Sequence, residues 1–246
     1  MDLAASAKGD RRANRRLDLE IAAQRGDAEK RGFRWRRPRH TLKGRQNAEA
    51  VNRAGLRLRL LKQQAHAGDI VLLFEDESEA LTHPYLAHVW AKRGADLRIE
   101  APGQARKVAM IGALDFADND LIVTTSRTKR SADFIALLRR FDECYIPRPS
   151  QGARPVVLVI DNGSIHRSKA SRAALQARPW LTVEWLPKYA PELNAIENSW
   201  RDLKQHFLAH QTFRDADHLD SAIQAAVVNL NKERQTKMCT NPRIAA

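Results

Sequence analysis

Three acidic residues stand where phosphoryl transfer would need them. Asp76 closes an apolar run in VLLFEDES, residues 71–78, and Asp161 closes another in VVLVIDNG, residues 156–163. Glu197 lies in LPKYAPELNAIENSW, residues 186–200, where a helix is expected to begin. Mg²⁺ takes oxygen ligands in near-octahedral array, commonly one or two carboxylates with phosphate and water. Two such ions clamp the attacking and leaving oxygens of an in-line displacement. Two strand-end aspartates and one helix glutamate therefore point to metal-assisted chemistry on a phosphate ester.

Each acid also has a plainer explanation. Glu75, Glu77 and Glu79 crowd Asp76, and periodicity alone does not choose among them. Asp161 with Asn162-Gly163 can simply start a turn, although ligands of open α/β sheets gather beyond the carboxyl ends of strands. Asn194 precedes Glu197 by three residues, the spacing of a capping box in which Glu197 would only satisfy a backbone N–H. Glu192 is an alternative ligand that Pro191 places in the loop or first turn. His166, five residues after Asp161, suits a phosphate or nucleophile contact as well as a structural loop role. Trp200 is expected to pack the Glu197 helix down. Arg201 and Lys204 follow it, either toward a DNA backbone or as a solvated face.

Competing chemistries lack their residues. The chain has no GxxxxGK[ST] loop, no GxGxxG opening a helix and no GxSxG elbow. Its eight histidines do not cluster with cysteines at zinc spacing. Cys144 and Cys239 have no redox or metal spacing and read as reduced cytosolic thiols. No stretch approaches the roughly 18 apolar residues of a membrane span, and MDLAASAKGDRRANRR lacks the apolar core of a secretory signal.

The positioning elements follow from periodicity. Helix is expected over 46–67, weakened by Gly55, where Ala50, Val51, Ala54, Leu58 and Leu61 recur at helical spacing. Strands are expected at 70–75, at one or two places within 85–100 around Gly94, and at 107–115 and 120–126, the last two as a hairpin. A helix over 131–145 carries Phe134, Leu137, Leu138 and Phe141 on one face. The continuous apolar run at 155–161 is a buried strand. Helix 168–178, strand 181–187 and helices near 195–209 and 216–232 complete the order, with Leu219, Ile223, Val227 and Leu230 as the last buried stripe. This is an α/β chain with a mixed sheet flanked by helices.

The net charge of +13 is uneven. Residues 1–62 hold 18 Lys/Arg against 7 Asp/Glu, while residues 63–246 hold 24 against 22. We therefore divide the chain into a basic helical N-terminal extension, 1–67, and a catalytic domain, 68–246. Helix is admissible at 11–31, and GFRWRRPRH, 32–40, is a basic-aromatic loop in which Pro38 blocks a continuous helix. Such a segment neutralises phosphates and releases counterions, the sequence-independent part of nucleic-acid binding. Arg34, Arg36, Arg37, Arg39, Lys43 and Arg45, with His166, Lys188, Arg201 and Lys204, are the candidate DNA contacts.

The FEDES, VLVIDNGSIH and LPKYAPELNAIENSW blocks resemble the DDE transposases of bacterial insertion sequences related to the mariner group. The third block is the most specific, through Leu186-Pro187, Tyr189, Pro191, Leu193-Asn194, Ile196-Glu197 and Trp200. Thirty-five residues separate Asp161 from Glu197, close to that family's interval. The resemblance covers roughly residues 32–235. It implies a ribonuclease-H-like fold built on a five-stranded sheet, with Asp76, Asp161 and Glu197 as the catalytic, metal-binding triad for two Mg²⁺ or Mn²⁺ ions. It further implies cleavage at the ends of an element and joining of its 3′ ends to double-stranded target DNA at TA steps. A homodimer that synapses two ends, in the cytoplasm of a bacterium and associated with its nucleoid, is the implied setting. Full-length relatives carry helix-turn-helix units ahead of the catalytic domain, whereas about 70 residues precede the first catalytic strand here. Residues 32–45 resemble the tail of that region and residues 1–31 resemble nothing identifiable, so a truncated or frame-shifted copy is one expectation. A nuclease that cuts without joining and a non-catalytic DNA-binding remnant are the alternatives.

Overall fold

The computed structural model describes residues 43–145 and 154–240, with side chains through Lys237. The expected helix at 11–31 and the basic-aromatic loop at 32–40 lie outside the described residues. Five strands form one mixed sheet: β1, Val71–Leu81; β2, Lys107–Asp115; β3, Asp120–Ser126; β4, Val156–Ile160; and β5, Leu181–Trp185. Their order across the sheet is β3-β2-β1-β4-β5. β1 is antiparallel to β2 and parallel to β4, β2 is antiparallel to β3, and β4 is parallel to β5. This is the mixed five-stranded sheet that the family resemblance implies.

Because side chains alternate across a strand, β1 feeds two separate cores. Leu72 and Phe74 point to one face, where they meet Leu58 and Leu61, Ile196 and Trp200, and Leu219 and Ile223. Val71 and Leu73 point to the other, against Phe134, Leu137, Leu138 and Phe141. Each fully buried Leu or Phe side chain contributes about 1.5–3 kcal/mol of transfer free energy, so both faces are substantial.

The helices divide accordingly. α1, Ala48–His66, starts where the Asn47 side chain accepts from the Ala50 N–H at 3.0 Å. It precedes the boundary drawn at residue 67, yet Leu58, Leu61 and Ala65 join the core of the first face. α2, Ser131–Tyr145, buries the expected Phe134, Leu137, Leu138 and Phe141 stripe on the second face. Two short helices follow β4: α3, Ser164–Arg167, and α4, Lys169–Gln176, separated at Ser168 because its side chain caps the second by accepting from the Ser171 N–H. α5, Ile196–Asp202, passes into a π-helical turn, Leu203–Phe207, which breaks the longer helix expected over 195–209. α6 spans Ala216–Thr240, past the expected end at 232.

The expected strand pairing at 85–100 does not form. β1 and β2 pair directly from Leu73↔Asp115 to Leu81↔Lys107, so the segment between them is not inserted into the sheet. Among the described residues its sole bridge is Tyr85 to Ala209, and Leu86, Val89, Trp90 and Leu97 are exposed. Strand-forming composition without an available partner is not enough to make a strand.

Candidate active site

The pleat of β1 settles which acid faces which core. Asp76 has the parity of Leu72 and Phe74, whereas Glu75 and Glu77 have the parity of Leu73. The parallel register of β1 with β4 runs from Val71↔Val156 to Phe74↔Val159, and carried two residues on it brings Asp161 level with Asp76. Glu197 arrives on the first turn of α5. Asp76, Asp161 and Glu197, from three elements far apart in the chain, line one open pocket of about 380 Å³ with Asn162, Gly163, Lys188, Tyr189 and Asn194.

Two contacts dock α5 against β1 and β2. Asn194 donates from Nδ2 to the Glu75 carbonyl at 2.8 Å in a buried hydrogen bond. Trp200 packs over Gly112, the β2 partner of Asp76; a Cβ there would stand 2.7 Å from Trp200 Cη2 and 2.8 Å from the Ile122 carbonyl oxygen. The capping box is not formed, because among the described residues the Asn194 side-chain oxygen has no partner and no side chain caps α5. Nor does Glu192 turn into the pocket: it accepts from Gln46 Nε2 at 2.9 Å.

The two aspartates differ electrostatically. Burial, reinforced by the carboxylates of Glu197 and Glu75, pushes Asp76 up to about 8. Asp161 is instead held below the usual carboxylate range, chiefly by its hydrogen bond with His166, with burial opposing and the Gly163 N–H adding to the lowering. Its Oδ1 accepts from the Gly163 N–H at 2.6 Å and lies 2.9 Å from His166 Nδ1. All the donors of the pocket's acids are oxygens, and the mutual repulsion and burial that keep Asp76 protonated are what a hard divalent cation would offset.

His166, expected among the DNA contacts, is fully buried and cannot reach a DNA backbone. The core position follows from Phe134, whose ring meets the imidazole edge-on at 4.7 Å between centroids. Its Nε2 lies 3.0 Å from Glu75 Oε2 and 3.5 Å from Glu77 Oε1. The first distance is an ion-pair contact, although the angle there is not that of a hydrogen bond. The ligand-type atoms of Glu75, Glu77 and His166 all lie within 4.8 Å of one another, on the opposite face of β1 from Asp76. Burial pushes Glu75 up to about 7 against the lowering effect of His166. Burial also disfavours the charged imidazole, but Glu75 and Asp161 outweigh it and push His166 up to about 10.

The other candidate contacts fall in three places. Arg34, Arg36, Arg37 and Arg39 lie outside the described residues, while Lys43 and Arg45 bound the first short turn. Lys188 lines the pocket beside Tyr189, whose backbone adopts the left-handed region at φ 63. Such conformations cost energy and concentrate at functional sites. Arg201 is exposed on α5, and Lys204, half-buried on the π-helical turn, lies within electrostatic reach of Glu197, Glu79 and Asp76. Burial and the nearby Lys129 hold Lys204 below the usual lysine range. Lys129, in the loop between β3 and α2, is a basic neighbour that no motif marked; its Nζ lies 3.8 Å from Glu79.

Comparison with known proteins accords with this geometry. A family described as DDE superfamily endonuclease matches residues 71–220. The uncharacterized 39 kDa protein of insertion element IS630 from Shigella sonnei is 30% identical over 172 residues, which are 70% of this chain and 48% of that protein. The chain thus spans about half the length of that curated relative. Among solved structures, the Mos1 transposase paired-end complex with left transposon end shares the fold at a TM-score of 0.56 and 16% identity, covering 89% of this chain and 68% of that one. The Mos1 mariner paired end complex with Mn matches at a TM-score of 0.55 and 16% identity, covering 89% and 70%. The shared fold is the ribonuclease-H-like one. Among the described residues, no helix is long and apolar enough to cross a membrane.

Proposed function

The chain belongs to the DDE superfamily of endonucleases, and from that membership we propose that it is the catalytic part of a transposase. It cuts double-stranded DNA at the ends of an insertion element and joins the 3′ ends to a target. Asp76, Asp161 and Glu197 would hold two divalent ions, Mg²⁺ or Mn²⁺. The observation that carries this reading is the convergence of these three carboxylates in one open, oxygen-lined pocket.

When bound, the ions would polarise the phosphoryl oxygen and lower the pKa of the attacking hydroxyl. The chain's own residues orient and neutralise. Asp161 stays ionised through its bonds with His166 and the Gly163 N–H. Asp76, level with it on the next strand, releases its proton as positive charge enters the pocket. Lys188 and Lys204 flank the acids and offer positive charge to DNA phosphates. The openness of the pocket suits a duplex rather than an enclosed small molecule. Water and then a DNA 3′-hydroxyl serve as nucleophiles, so no covalent protein intermediate is required.

DNA ends as substrate are supported by the Mos1 complex, which holds a transposon end, and divalent ions by its Mn and Mg complexes. Synapsis of two ends calls for a homodimer at work. TA target steps suit the mechanism because pyrimidine–purine steps deform easily.

The test is strand transfer. Inverted repeats flanking the gene are supplied as pre-cut duplexes with supercoiled plasmid and Mg²⁺ or Mn²⁺. Joined products at TA sites support the proposal. Cleavage without joining identifies a nuclease, and salt-sensitive DNA binding with no metal-dependent product identifies a non-catalytic remnant; either result rejects it.

A further inference from the structure

We propose that His166 is a positioning residue for Asp161 and that Glu75 is its buried anchor. Together they pin one oxygen of the Asp161 carboxylate and leave the other to face the pocket. The inference rests on Asp161 being a metal-binding carboxylate.

Asp161 sits just past the end of β4 with its side chain half exposed. A carboxylate so placed would rotate freely unless held. Two groups converge on the same oxygen: the Gly163 N–H at 2.6 Å and His166 Nδ1 at 2.9 Å. No hydrogen bond among the described residues engages Oδ2, which is left for a ligand. Residue 163 must be glycine for this arrangement. A Cβ there would stand 2.8 Å from Asp161 Oδ1 and 3.3 Å from His166 Nδ1.

The imidazole is itself immobilised. Phe134 packs against it in a T-shaped pair, and Glu75 Oε2 lies 3.0 Å from Nε2, the ring nitrogen not used by Asp161. Glu75 is fully buried, and among the described residues neither of its oxygens has a hydrogen-bond partner. A buried carboxylate with so little compensation is costly. Val71 and Leu73, of the same parity on β1, pack with Phe134, Leu137 and Leu138, so an apolar residue would suit the site at least as well. Retaining an acid there makes sense for the imidazole it faces. A ligand's outer partners commonly set its orientation, and losing them weakens metal binding by about 10–100-fold.

The test separates this role from folding. Replacing a buried charged pair by apolar residues of similar volume is often neutral or stabilising. The Glu75→Leu/His166→Phe double variant of the full chain is therefore expected to keep its melting temperature. Its Mn²⁺ affinity, measured by calorimetry without DNA, is expected to fall by about 10–100-fold. His166→Asn keeps a donor near the Nδ1 position and should bind Mn²⁺ nearly as wild type does, whereas His166→Gln should not. DNA affinity should be unchanged in all three. Should the double variant unfold, the Asn and Gln variants decide the matter. Wild-type Mn²⁺ affinity in the Gln variant overturns the positioning role, whether or not the double variant folds. Asp161→Asn serves as the separate control: if it too leaves Mn²⁺ binding intact, it is the metal-binding reading of Asp161 that fails.

Discussion

Trp200 lies directly over Gly112, and Gly112 is the residue paired with Asp76 across β1 and β2. The indole that anchors α5 thus rests beside the backbone that presents the first aspartate, one helical turn from Glu197. A methyl group at 112 would strike both Trp200 and the Ile122 carbonyl. Overpacking of this kind costs about 1–3 kcal/mol, and each kcal/mol lowers Tm by about 2–4 °C at this chain length. Gly112→Ala should therefore melt lower and lose metal-dependent cleavage more than DNA affinity. Thermal melting beside a cleavage assay checks this, and an unchanged Tm with full activity refutes the close-contact account.

The raised Asp76 makes metal binding pH-dependent. Its carboxyl is pushed up to about 8 in the folded protein, against 3.8 for an unperturbed aspartate. A group with a raised folded pKa lends stability that is fully present below the unfolded value and lost as pH rises through the folded one. Chelator-treated protein should lose this contribution between about pH 4 and 8. Added Mg²⁺ or Mn²⁺ should raise Tm more at pH 8 than at pH 6, because less proton must be displaced. Melting curves with and without metal across that window test the sign; a metal-induced gain that shrinks with pH contradicts it.

Glu197→Gln separates ligand from cap. No capping box exists at α5, so the amide should leave folding intact. Cleavage with Mg²⁺ or Mn²⁺ should fall by more than about 100-fold, beyond the range seen for outer partners of a ligand. Retained activity in a normally folded variant removes Glu197 from the site.

Lys129 and Lys204 share the neighbourhood of Glu79 beside the acids. If both meet DNA phosphates, each replacement by Ala should reduce the slope of log affinity against log salt by about 0.9. The loss should be uniform across DNA sequences. Titrations at several salt concentrations measure it, and an unaltered slope assigns both lysines to the acidic rim alone.

Much of the site was legible because its signals are local. Five apolar residues before Asp161 announce a strand buried on both faces, and the turn after it announces a strand end. The Phe134, Leu137, Leu138 and Phe141 stripe repeats at helical spacing and is buried as a stripe. Residues 85–100 misled because β propensity is a property of side chains, whereas a strand needs a neighbour with free backbone groups.

The chain by itself determined the order of the elements apart from residues 85–100 and 195–209, the residue types of the pocket and the family to which they belong. Only the tertiary structure decided among the crowded acids of β1. Which of Glu75, Asp76 and Glu77 faces α5 depends on pleat parity relative to two cores, and that is defined only once helices cover both faces. The same holds for His166. Its spacing from Asp161 is fixed along the chain, but its burial against Phe134 and its contact with Glu75 arise from elements brought together by packing.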